Sequence, residues 1–90
     1  MNETIVAKGL AKHLAEKFEY EGSYLIVKNK AQTRDHGYAM GDCASIIWEG
    51  GPYEWTYDTD SSLLDWVQEK YGSEYWLEAY SGWLLFVNKG

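Results

Sequence analysis

Two spacings of apolar residues divide this chain, and together they allow few folds. Ala7, Leu10, Ala11, Leu14, Ala15 and Phe18 recur every three or four residues, which places them on one face of a helix over residues 4–19. Tyr53, Trp55 and Tyr57 instead alternate with Glu54, Thr56 and Asp58, the period of a strand with one aromatic and one polar face. A chain carrying both periods is expected to be an α+β domain.

The remaining segments fill in an order. Asn2 or Thr4 is placed to cap the first helix and Gly22 to end it, while Gly9 weakens it. Lys8, Lys12, Glu16 and Glu19 fall on its other faces. Residues 23–30 carry the β-branched and aromatic content of a strand, and residues 44–49 read as a second. Between them, residues 31–42 are polar, hold Gly37 and Gly41, and show no period. Gly50-Gly51-Pro52 marks a turn before the alternating third strand. A second helix is expected over 63–71, with Ser62 and Asp65 as a capping box and Gly72 as its stop.

Residues 75–80 and 83–88 read as a hairpin across Ser81-Gly82. A two-residue turn there opposes Ala79 to Leu84 and Leu77 to Phe86, making these four the core face. Trp76, Glu78, Tyr80, Trp83, Leu85 and Val87 then share the other face, which is too apolar to be simply solvated. The expected order is α-β-β-β-α-β-β, a single antiparallel sheet packed by two helices, with residues 1–90 as one domain. The first five elements are similar in order to a double-stranded-RNA-binding domain. The second helix, however, has Lys70 as its only base where that family places a lysine cluster, which excludes the family.

Charge narrows the functional classes. The net charge is −6, but residues 1–34 carry six basic and four acidic side chains, against two and ten in residues 35–90. An acidic surface repels phosphate backbones, so direct nucleic-acid binding is not expected. The same field attracts a basic protein surface. Cys43 is the only cysteine, so no intrachain disulfide forms and a reducing, cytoplasmic setting is expected. The longest apolar run, 83–87, is strand-length, and residues 1–4 do not begin a secretory signal, so no membrane association is expected.

Motifs for catalysis and cofactor binding are missing. His13, His36, Cys43, Asp35 and Asp42 show no metal-ligand spacing. Asp58, Asp60, Ser62 and Glu69 fall in an EF-hand-like register, but Leu63 stands where the loop requires glycine. Cys43 precedes Ala44-Ser45-Ile46-Ile47 and reads as a buried small hydrophobe. Neither a nucleophile elbow nor a phosphate loop occurs. The expectation is therefore a non-enzymatic protein without cofactors. The rival is a small ligand-binding domain or enzyme that uses the 31–43 loop, with His36, Asp42 and Cys43 as its polar groups.

Fifteen of the 90 residues are Phe, Tyr or Trp, and all five tryptophans follow residue 34. Trp48 and Trp66 take inward positions, but a domain this small cannot easily enclose every ring. Tyr53, Trp55, Tyr57, Trp76, Tyr80 and Trp83 are the rings expected at the surface. With Glu49, Glu54, Asp58 and Asp60 they form the candidate partner-binding surface, where these carboxylates together with Asp65 are able to mimic nucleic-acid phosphates.

The phrases Ile47-Trp48-Glu49-Gly50-Gly51-Pro52-Tyr53-Glu54-Trp55 and Tyr75-Trp76-Leu77-Glu78-Ala79-Tyr80-Ser81-Gly82-Trp83 resemble the small accessory proteins of tailed phages, notably those infecting actinobacteria. That resemblance implies a modulator that binds and inhibits or redirects a host protein in the host cytoplasm, anti-defence proteins included. A second copy of the chain is the other candidate partner, through a strand edge or the second hairpin face.

Overall fold

The computed structural model describes residues 2–17, 25–35, 43–48, 62–81 and 84–90. Among the described residues, three helices and four strands follow in the order α1 (Glu3–Lys17), β1 (Leu25–Lys28), α2 (Lys30–Asp35), β2 (Cys43–Trp48), α3 (Ser62–Tyr71), β3 (Tyr75–Ser81) and β4 (Leu84–Lys89). The fold is α+β, with one antiparallel sheet in the strand order β1-β2-β4-β3. The third expected strand, around Tyr53–Asp58, lies outside the described residues.

The first helix forms where its period places it. Asn2 Oδ1 accepts from the Ile5 amide at 3.1 Å, so Asn2 is the cap and Thr4 is already inside the helix. Val6, Ala7, Leu10, Ala11 and Leu14 are buried against β1, β2 and β4. Val6, Leu10 and Leu14 are completely enclosed, worth roughly 1.5–3 kcal/mol each relative to exposure.

The sheet gives α1 and α3 one face. Leu25, Ala44, Ile46, Leu85, Val87 and Tyr75 meet the α1 stripe and Leu63 and Val67 of α3 in the main core. The opposite face carries a smaller cluster of Cys43, Ile47, Leu84 and Phe86, with Ile26 against it. α3 ends at Gly72, whose φ of 131° suits only glycine, and whose amide donates to the Gln68 carbonyl at 3.0 Å. Gln68 Nε2 then donates to the Tyr75 carbonyl at 3.0 Å, tying α3 to the start of β3.

Two expectations need correction. The segment after β1 is not patternless, because residues 30–35 form α2. Asn29 and Gln32 cap it reciprocally: each side-chain oxygen accepts from the other's backbone amide at 2.9 Å. The first strand accordingly stops at Lys28 rather than running to 30. α2 lies against β1 and β2, and Thr33 Oγ1 meets Ser45 Oγ at 2.9 Å in the interior. Its first residue, Lys30, reaches the buried Glu3 carboxylate of α1 at 3.1 Å.

The hairpin register is the other correction. Leu77 pairs with Val87 and Ala79 with Leu85, one step from the expected Leu77–Phe86 and Ala79–Leu84. A bulge between Ala79 and Ser81 makes Tyr80 the extra residue, and an extra residue moves every later partner by one position. Leu85 and Val87 therefore face the helices, while Leu84 and Phe86 lie on the other side of the sheet.

Candidate functional site

β3 is the outer strand of the sheet among the described residues, and alternation sends its side chains two ways. Tyr75, 1% exposed, turns into the main core, and Leu77 packs partly against it. Trp76, between them, turns to the face opposite α1 and α3 and remains 42% exposed. The six-membered part of its indole lies against the Gly90 backbone, where a Cβ would collide with the ring. The Gly90 amide donates to the Glu74 carbonyl at 2.8 Å, so the chain's last residue is held beneath the indole. Glu74 and Glu78, two residues before and after Trp76 in the sequence, are both exposed, and the Glu74 carboxylate lies beside Gly72.

The row behind Trp76 is polar. Its pairing partner Asn88 is opposed in turn to Cys43 of β2. Asn88 is only 8% exposed, yet its Nδ2 has no hydrogen-bond partner. Cys43 is buried at 1%, as expected of a small hydrophobe.

Of the surface expected from the sequence, Trp76 is the member whose side chain is placed. Glu49, Tyr53, Glu54, Trp55, Tyr57, Asp58, Asp60 and Trp83 lie outside the described residues, as does the Tyr80 side chain. Trp66, expected inside, is half-buried at the rim of the core, and Trp48 is described only in its backbone. His36 and Asp42 of the rival site also lie outside the described residues. Among the described residues, no three His, Cys, Asp or Glu side chains gather as a metal-ligand set. No described helix is long and apolar enough to cross a membrane.

A cleft between α1 and α3, on the other side of the sheet from Trp76, had no single sequence signal. Gly9, Lys12, His13, Glu16, Trp66 and Lys70 line its volume of about 270 Å³. His13 stacks on Trp66 with ring centroids 4.0 Å apart and planes 11° from parallel. Lys70 Nζ lies over the same indole at 4.9 Å and over Tyr71 at 5.8 Å. The two lysines are far apart in sequence, and only the crossing of the helices brings them together.

Comparison with protein-family models, with curated proteins and with solved structures finds no match to this chain.

Proposed function

We propose that this chain is a small non-enzymatic binding protein that engages a partner with a basic surface through Trp76 and the exposed residues next to it on β3. One observation carries the proposal: Trp76 is an indole held half outside the protein, on the outer strand of the described sheet, in a stretch where Glu74 and Glu78 are also exposed. Tryptophan buries much area with few rotors, and it is enriched among the residues that dominate binding energy. A tryptophan that packs on backbone is already oriented, so a partner need not order it. The excess of acidic over basic side chains after residue 34 supplies a field that speeds encounter with a basic surface. This function agrees with the resemblance to phage accessory proteins that act on host proteins.

The other strongly exposed apolar side chain among the described residues is Ile5, 50% exposed on α1. It is smaller and stands one helical turn from the exposed Lys8 and beside the surface position of Asn2, a setting that a single surface aliphatic commonly has. The rival enzyme or ligand site is weakened by Cys43, whose burial leaves its sulfur without the exposure a nucleophile needs.

The experiment is capture of partners from lysate with the tagged protein, followed by the same capture with Trp76→Ser and Glu78→Lys. A specific partner with a basic surface that is lost from both variants supports the proposal. Capture unchanged by either substitution contradicts it.

A further inference from the structure

The α1–α3 cleft differs in character from the rest of the chain. Within a protein of net charge −6, it is lined by two lysines, one histidine and a single carboxylate. Among the described residues Lys12 has no ion-pair partner, and Glu16, one turn further along α1, has none either. The two charges are thus free to face a ligand rather than each other.

Lys70 is prepared for the same task. A lysine that grips an anion normally loses side-chain freedom, which weakens the contact. Here the ammonium already sits over Trp66 and Tyr71, whose rings are set edge to face with centroids 5.9 Å apart. The contact turns part of the ammonium toward the rings and leaves the N–H donors on its outer side for an oxyanion. Trp66 adds an apolar wall, and Glu16 adds an acceptor for hydroxyl groups.

We propose that this cleft binds a small phosphorylated sugar or polyol, with the phosphate between Lys12 and Lys70 and a hydroxyl donating to Glu16. The volume admits one compact ligand of this class. The cleft lies across the sheet from Trp76, and the inference does not depend on the protein-binding function.

The test is titration of the ¹⁵N-labelled protein, following the Trp66 indole N–H, with inorganic phosphate, glucose and glucose 6-phosphate at constant ionic strength. Glucose 6-phosphate is expected to bind about tenfold more tightly than phosphate, since it adds hydrogen bonds to a charged group. Glucose alone is expected to bind more weakly than either. Lys12→Gln, which alters an exposed side chain and leaves the ring cluster intact, should weaken both phosphate ligands about tenfold through loss of a charge-assisted bond. Glu16→Gln removes a charge that repels both anions, so it should lower the preference for glucose 6-phosphate over phosphate rather than weaken both. Lys28→Gln, on the opposite face of the sheet with Ile26, should change neither. The proposal is overturned if chloride reproduces the shifts, if Lys12→Gln binds as the parent does, or if Glu16→Gln leaves that preference unchanged.

Discussion

The Tyr71 hydroxyl occupies the space that a Cβ at position 9 would fill, so α3 is seated against the one glycine of α1. In an isolated helix Gly9→Ala would stabilise by about 1 kcal/mol. In this fold it should instead destabilise by about 1–2 kcal/mol, because the phenol and the packed Trp66 beside it must move. Urea unfolding of Gly9→Ala measures the sign. In a Tyr71→Leu background the same substitution should become neutral or stabilising, which separates the steric effect from helix propensity.

Thr33 and Ser45 form a buried hydroxyl pair. Thr33 Oγ1 and Ser45 Oγ lie 2.9 Å apart, either able to donate, and Thr33 Oγ1 also lies 3.3 Å from the Lys28 carbonyl. Thr33→Val leaves the Ser45 hydroxyl, fully buried, without this partner, and should destabilise by about 1–3 kcal/mol. Adding Ser45→Ala should recover part of that loss. A double-mutant cycle by chemical denaturation gives the coupling, and additive effects would show that α2 is not held through this pair.

Asn88 presents the opposite case. Its Nδ2 is buried without a partner beside Cys43 and Trp76. Removing an unsatisfied amide is expected to help, so Asn88→Val, which suits a strand, should raise stability by about 1 kcal/mol. A rise in the thermal midpoint checks this, and a fall would mean the amide is satisfied in solution.

The fold was legible wherever local pattern and tertiary packing agree. The α1 stripe from Ala7 to Leu14, the capping role of Asn2 and the stop at Gly72 all depend on neighbours within a few residues. α2 was also readable, since Asn29 and Gln32 have the spacing of a capping box, but six residues carry too little period to stand out. The hairpin register was not readable, because the bulge at Tyr80 leaves no mark on the alternation of residues 75–80. The exposure of Trp76 was expected from the surplus of rings over the volume of so small a core, whereas the cleft required Lys12 and Lys70 to meet across two helices.

Photo-crosslinking from position 76 tests the central claim most directly. With benzoyl-phenylalanine replacing Trp76, irradiation in lysate should yield a covalent adduct with one protein of basic surface, while the same group at Ile5 on the helical side yields none. Adducts from position 5 and none from position 76 would contradict the account.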